Sequence, residues 1–336
     1  MEESKKKNSE TLVAESSDVK QNSLKAWILA SRPKTWAAAI APVVVGCAIA
    51  FGLKEFKPLA ALCCLLFAVM MQIAANLIND LVDFQKGSDG EDRLGPLRAT
   101  AQGWITPDCM KKGIVAVVVL GCLIGSVLIY YGGWEMILVG LFCVIFAYFY
   151  TSGPFPLAYN GLGDVAVVLF FGIVATGFTA YVQVLDWNDI ITRCGLATGL
   201  VVNSLLVLNN YRDREQDEKA GKRTIIVMRG EKFGRFLYLF MGIVSLALVM
   251  EYFMIFSFRV LPSKFPEIFA PLGSLRAVAC PLVFALLICF YLIPHIRTWG
   301  KMCEIREGKA LNSLIGETSR NMLIFAFLLS FVLTFN

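Results

Sequence analysis

Nine apolar stretches separated by charged loops constrain this chain more than any other feature of its sequence. They lie near 36–53, 59–79, 113–131, 135–151, 164–183, 192–210, 236–257, 277–295 and 320–335. A helix that crosses a hydrocarbon core of about 30 Å needs about 20 mostly apolar residues. The runs therefore predict an all-α fold, a polytopic transmembrane helical bundle of about nine helices occupying 24–336. The fourth and ninth runs are the shortest. Composition agrees, with 57% hydrophobic and 17% charged residues and a mean hydropathy of +0.64. Soluble domains sit nearer 45–50% apolar and about 25% charged. Residues 1–23 are polar throughout and lack the apolar centre of a signal peptide, so they read as a flexible cytosolic tail.

The formal charge of +5 does not signal a nucleic-acid partner, because the basic residues fall between the apolar runs. They read instead as topology determinants. With the amino terminus in the cytosol and nine spans, six of the 31 Lys/Arg residues fall on the far side, namely Lys54, Lys57, Arg193, Arg259, Lys264 and Arg276. Long cytosolic loops are then expected near 80–112, 211–235 and 296–319. Nothing in the pattern calls for an obligate protein partner.

Ten cysteines, most inside apolar runs and none in a CxxC pair, read as small buried apolar residues. The single histidine, His295, ends an apolar run and reads as interfacial. Mechanisms built on a His-containing triad or a two-His metal site have little to work with.

Against this background two acidic stretches stand out, each where an even-numbered helix reaches the cytosol. They are four helices apart, as in a degenerate four-helix repeat with one helix added. The second, "NNYRDREQDEKAGKRT", places Asn209, Asp213 and Asp217 at i, i+4 and i+8. On a helix that spacing stacks three oxygen side chains along one face. The first, "NLINDLVDFQKGSD", gives Asn79 and Asp83 the same i, i+4 spacing, with Asp80 alongside and Asp89 beyond Gly87. Gly87 is expected to let the chain leave the helix and fold back. Like charges at i, i+4 repel. Divalent cations reverse that sign, and hard oxygen ligands without thiol or imidazole suit Mg²⁺ or Mn²⁺. Lys86, Arg93 and Arg98 follow the first cluster, and Lys219, Lys222 and Arg223 the second. Acids interleaved with bases fit a diphosphate bridged by metal ions and clamped by Lys/Arg.

These residues carry a resemblance. Over roughly 24–335 the chain resembles the UbiA superfamily of membrane prenyltransferases. Asn79, Asp80 and Asp83 match its first motif, and Asn209, Asp213, Asp217, Lys219, Gly221 and Lys222 its second. Many members carry an aspartate where Gly87 stands here. The aspartate arriving at Asp89, within "KGSD", is similar to the menaquinone-type subgroup. "RPKTWAAAIAPVVVG" from Arg32, "DRLGPLRAT" from Asp92 and "YTSGPFPLAYNGLGDVAVVLFFG" from Tyr150 resemble the MenA group in particular.

The resemblance implies transfer of a polyprenyl group from an allylic polyprenyl diphosphate to an aromatic naphthoate acceptor, 1,4-dihydroxy-2-naphthoate. The acceptor loses its carboxylate, and demethylmenaquinone results. Asp83, Asp213 and Asp217 are then the expected catalytic aspartates. Asp80, Asp83, Asp89, Asp213 and Asp217 are the expected ligands of Mg²⁺, as two ions. Asn79, Asn209, Lys86, Arg93, Lys222 and Arg223 are the expected diphosphate contacts. Arg32 and Lys34 could meet the acceptor carboxylate, and a role as positive-inside anchors accounts for them equally well. Tyr150, Tyr159 and Tyr148 are candidates to stabilise an allylic cation through their ring faces, and an interfacial aromatic belt accounts for them equally well. The prenyl tail explains the lipid bilayer as a partner, since each buried CH₂ contributes about 0.8 kcal/mol. A bacterial plasma membrane, with the site on the cytosolic side, is the expected setting. Two other readings stand beside this one: a UbiA-like enzyme with another acceptor (4-hydroxybenzoate, homogentisate, a chlorophyllide or haem), and a membrane transporter.

Overall fold

The computed structural model describes residues 19–87 and 93–335, and it is helical almost throughout, with no strand among the described residues. The principal helices are α1 (Leu24–Ser31), α2 (Ala37–Gly52), α3 (Pro58–Gln85), α4 (Pro107–Gly132), α5 (Glu135–Phe149), α6 (Gly163–Val184), α7 (Asp189–Lys219), α8 (Ile225–Arg229), α9 (Glu231–Lys264), α10 (Arg276–Ile305) and α11 (Asn312–Phe335). Every apolar run falls on one of them. Seven, namely α3, α4, α6, α7, α9, α10 and α11, are long and apolar enough to cross a membrane alone. The run at 36–53 qualifies only together with α1, across a 53° bend. The helix α5 has 15 residues and rises about 22 Å at 1.5 Å per residue. The ninth run is not short, because α11 begins eight residues earlier in the polar segment at Asn312. Residues 1–18 of the expected tail lie outside the described residues.

The three long loops are shorter than the polarity pattern suggests. The helix α3 continues to Gln85, α7 to Lys219 and α10 to Ile305. Polar residues extend these helices out of the apolar layer, and their side chains find partners there. Arg214, for example, lies within 3.9 Å of carboxylate oxygens on Glu215, Glu231 and Glu307.

At the centre stands α7. Two thirds (67%) of its most apolar stretch is buried, against 6% for α4 and 11% for α10. The last two therefore present most of their surface to lipid. Helix α6 crosses α7 closely through small residues. A Cβ added at Gly199 would stand 2.6 Å from the carbonyl oxygen of Val168, and one at Gly172 2.6 Å from that of Gly195. Close backbone approach of this kind is how helices pack where lipid removes the hydrophobic drive between them. At the same crossing α6 widens into π-type turns over Val168–Gly177.

His295 is packed inside the bundle and does not face lipid or water. It is 2% exposed, stacked on Tyr238 at 4.8 Å and on Tyr291 at 5.6 Å, and its Nε2 lies 3.1 Å from the Tyr238 carbonyl oxygen. The ring lies against Gly242, where a Cβ would come within 2.2 Å of it, so a missing side chain on α9 makes the slot. All ten cysteines are free thiols, and Cys122 and Cys289 face outward.

Candidate active site

The first acidic motif lies on the final turns of α3 and the second on the final turns of α7. Asn209, Asp213 and Asp217 share one helix, so their i, i+4, i+8 spacing places them on one face as expected. Helix α3 ends at Gln85, and Gly87 follows at φ +67°, a left-handed conformation that glycine adopts without steric cost. Asp89 and the first residue of "DRLGPLRAT", Asp92, lie outside the described residues.

The two helix ends converge on Tyr159, in the short turn Leu157–Tyr159 that follows α5. Its hydroxyl lies 3.5 Å from Asp83 Oδ1. Lys86 Nζ stands 3.9 Å from the ring centroid and Lys222 Nζ 5.8 Å from it. The Tyr159 carbonyl accepts from the Arg223 amide at 3.0 Å. One aromatic ring is thus contacted by a carboxylate and a lysine of the first motif and by the segment that follows the second. Asp217 in turn feels the charges of Asp213 and Asp83.

Each motif carboxylate facing this space has a basic partner. Asp83 pairs with Arg98. Asp213 takes a two-pronged guanidinium from Arg212, Nε to Oδ1 and Nη2 to Oδ2, both at 2.6 Å. Asp217 Oδ1 lies 3.3 Å from Lys222 Nζ, while its Oδ2 is buried without a hydrogen-bond partner. Arg212 is the residue that motif reading missed. It sits between Tyr211 and Asp213, is 4% exposed, and also donates from Nη1 to Asn312 Oδ1 at 2.8 Å. Asn312 Nδ2 then donates to the Leu94 carbonyl at 2.8 Å. The segment after the first motif is thereby tied to α7 and α11 together. A Cβ at Gly95 would stand 2.8 Å from Arg212 Nη2, so glycine permits that approach.

Asp80 has a different place from its neighbours. It is 1% exposed, and its two oxygens accept from the backbone amides of Ala99 at 2.8 Å and Thr100 at 2.9 Å. That engagement anchors the returning segment. Replacing Asp80 by Ala would leave two buried amides unpaired, at a cost of about 1–3 kcal/mol each. Asp80→Ala is therefore expected to melt many degrees below the native chain in detergent. Asp80→Asn, which keeps one acceptor, should fall between them. Equal melting of all three would refute the anchoring role.

The remaining expected residues are placed as follows. Asn79 Oδ1 accepts from the Thr151 hydroxyl, and Lys86 Nζ donates to the Thr151 carbonyl at 3.2 Å. Asn209 Nδ2 donates to the Leu205 carbonyl one turn back at 3.0 Å. Arg93 Nε donates to the Pro96 carbonyl at 2.9 Å within its own turn. The Arg223 side chain is exposed, as are Lys34 and Lys219. Tyr148 is half exposed on the outer face of α5, apart from the site. Tyr150 lines a small cavity with Asp164, Asn210 and Thr224, and it feels the charges of Asp164 and Asp217.

Arg32 sits at the elbow between α1 and α2, at φ +53°, electrostatically coupled to Asp80, Asp83, Arg93 and Arg98. Its Nη2 is buried without a hydrogen-bond partner. The elbow is held by Asn76, whose Nδ2 donates to the Ser31 carbonyl at 3.0 Å and to Thr35 Oγ1 at 2.9 Å. Asn76 belongs to the first quoted stretch, one turn before Asn79, and its spacing marks it as sharing that face.

Among the described residues no three of His, Cys, Asp and Glu stand together closely enough to enclose a metal ion. The reason is visible, since Asp83, Asp213 and Asp217 each turn to a separate cation. The donor set still suits Mg²⁺. That ion takes one or two carboxylates and fills its shell with water and phosphate oxygen, and Asp217 has an oxygen to offer.

The model of the UbiA prenyltransferase family matches residues 39–293. The chain belongs to this family. Among its UbiA relatives, the 1,4-dihydroxy-2-naphthoate octaprenyltransferase of Haemophilus influenzae is 37% identical over 220 residues, covering 63% of this chain and 71% of that one. The enzyme of the same name from Mycobacterium tuberculosis is 32% identical over 311 residues, covering 92% and 97%. In fold, the chain is similar to a UbiA homolog from Archaeoglobus fulgidus bound to GPP and Mg²⁺. The TM-score is 0.59 at 15% identity, with 90% of this chain and 99% of that chain covered. At that identity the likeness speaks for the UbiA fold.

Proposed function

We propose that this UbiA-family enzyme transfers a polyprenyl group from an allylic diphosphate to 1,4-dihydroxy-2-naphthoate, releasing diphosphate and carbon dioxide. The product at this oxidation level is demethylmenaquinol, the hydroquinone form of demethylmenaquinone. The relatives named for this reaction support the substrate pair, and they match up to 92% of the chain. The observation that carries the mechanism is the convergence of the two Asn/Asp helix ends and their lysines on Tyr159.

Asp83, Asp213 and Asp217 would hold Mg²⁺, as two ions, with Asp89 a further candidate from outside the described residues. Bound there, Mg²⁺ would neutralise charge building on the leaving diphosphate. The chain's own cations do the rest. Lys86 and Lys222 lie over the Tyr159 ring in the structure. A diphosphate between the motifs would draw both ammonium groups to its oxygens through charge-assisted hydrogen bonds. The ring face would then be free to stabilise the allylic cation. Arg98 and Arg212 hold Asp83 and Asp213 in place until substrate arrives, and on its arrival they can turn to phosphate oxygens. Asn79 and Asn209 would position a phosphate oxygen or metal-bound water. Arg32, with a buried unpaired nitrogen near the first motif, would meet the acceptor carboxylate. The segment anchored by Asp80 covers the site and restricts water, which would otherwise capture the cation.

The site lies at the membrane face to which most Lys/Arg residues map, which supports a cytosolic active site. The amino terminus would lie on the same side, in a bacterial inner membrane. Purified chain supplied with geranylgeranyl or longer diphosphate, 1,4-dihydroxy-2-naphthoate and Mg²⁺ is expected to give a prenylated, decarboxylated product by mass. EDTA should abolish it. Prenylation of 4-hydroxybenzoate or homogentisate instead would keep the mechanism and overturn the acceptor. No consumption of diphosphate with any acceptor would overturn the reaction itself.

A further inference from the structure

On the outer flank of the bundle, away from Tyr159, α10 and α11 part to leave an open cleft of ≈ 560 Å³ lined by Pro294, Arg297, Gly300, Lys301, Glu304, Glu317 and Arg320. Two of its charges satisfy each other. Lys301 Nζ lies 2.6 Å from Glu317 Oε1, and Glu317 Oε2 accepts from the Thr298 hydroxyl at 3.3 Å. Arg297 and Arg320 are exposed and form no ion pair among the described residues. With Glu304 counted, three cations face two carboxylates, and the cleft stays positive.

Depth matters here. Arg297 lies eight residues before the end of α10 at Ile305, and Arg320 eight residues after the start of α11 at Asn312. At 1.5 Å per residue the Cα atoms of both stand about 12 Å from their helix ends. They are level with each other on antiparallel helices. Toward the membrane centre from Arg297, α10 exposes Ile296, Ile293, Phe290 and Leu286. From Arg320, α11 exposes Phe327 and Phe331. A pair of arginines at the interface above two outward apolar tracks asks for an amphipathic anion. Arginine on a lipid-facing flank is costly without one, and its planar fork matches phosphate oxygens.

Space is provided for as well. A Cβ added at Gly300 would meet no heavy atom within 4 Å, so the glycine keeps the cleft open without being required by packing.

We infer that this cleft binds the headgroup of an anionic phospholipid, its phosphodiester between Arg297 and Arg320 and its acyl chains along the outer faces of α10 and α11. Basic pockets between membrane helices take such headgroups because charge and apolar tracks are offered together. Its ends belong to the same membrane face as the candidate site, since Arg214 of α7 donates to the Arg306 carbonyl at 3.0 Å. The inference does not depend on which acceptor the enzyme prenylates.

Native mass spectrometry of the detergent-purified chain tests it, with phosphatidylglycerol, phosphatidylcholine, inorganic phosphate or geranylgeranyl diphosphate added. Phosphatidylglycerol is expected to be retained at least tenfold over phosphatidylcholine. That preference should disappear in Arg297→Ala/Arg320→Ala and, independently, in Gly300→Leu, which fills the cleft without removing charge. It should survive in the charge-matched control Arg229→Ala/Lys232→Ala. Melting curves report whether each variant folds. Should either cleft variant fail to fold, the other decides. Equal retention of both phospholipids would overturn the inference, as would a preference that persists in the folded cleft variants. So would displacement of phosphatidylglycerol by inorganic phosphate or by the prenyl diphosphate, or a dimer that depends on the cleft and shows no lipid preference.

Discussion

Asp217→Ala is expected to lower kcat for prenyl transfer by on the order of 10³-fold or more, with Asp83→Ala similar. Removing one well-aimed electrostatic contact to a developing anion costs about 10²–10³-fold, and loss of a metal ligand also costs the charge the ion supplied. Asp217 is 8% exposed, has one oxygen without a partner, and shares its electrostatic field with Asp213 and Asp83. A carboxylate so placed is not there for stability. Its ion pair with Lys222 is long at 3.3 Å and the lysine side chain is 26% exposed, so solvent screens it and it contributes little. The variant should therefore melt close to the native temperature while turning over almost no substrate. Raising Mg²⁺ should recover part of the loss in Asp217→Asn and none in Asp217→Ala. A kcat within tenfold of the native value at saturating Mg²⁺ would remove Asp217 from the mechanism.

Arg212→Ala should lower the melting temperature, where Asp217→Ala does not. Its guanidinium holds both oxygens of Asp213 at 2.6 Å and reaches Asn312 of α11 at 2.8 Å. Its side chain is 3% exposed and that of Asp213 24%. Solvent reaches the carboxylate left behind, so the cost is that of hydrogen bonds to a charged group, about 1.5–3 kcal/mol, below the range for a fully buried pair. The folding equilibrium would shift by about one to two orders of magnitude. Loss of Arg212 also unties the segment near Leu94, which Asn312 holds at 2.8 Å. Arg212→Lys should rescue little, since an ammonium cannot reproduce the two-pronged contact. In an Asp213→Ala background the same substitution should cost measurably less, and that coupling separates the ion pair from simple loss of packing. A native melting temperature for Arg212→Ala would overturn this account.

The amino-acid sequence by itself determined the parts whose physics is local. Apolar runs near membrane length mark helices, because unpaired backbone groups are not tolerated in lipid. Asn209, Asp213 and Asp217 could be assigned to one face from spacing alone, because a helix fixes that geometry. Gly87 could be read as the exit from α3, and its φ of +67° agrees. Which carboxylate does what was not legible. Asp80 and Asp83 are three residues apart, yet one grips the amides of Ala99 and Thr100 and the other faces Arg98 and Tyr159. His295 looked interfacial because it ends an apolar run, and became a core residue because Gly242 on another helix leaves room for its ring. Arg212 gave no spacing signal, and its weight comes from Asn312, one hundred residues away. Side-chain partners from distant segments set burial and charge compensation, and only the tertiary structure brings those segments together.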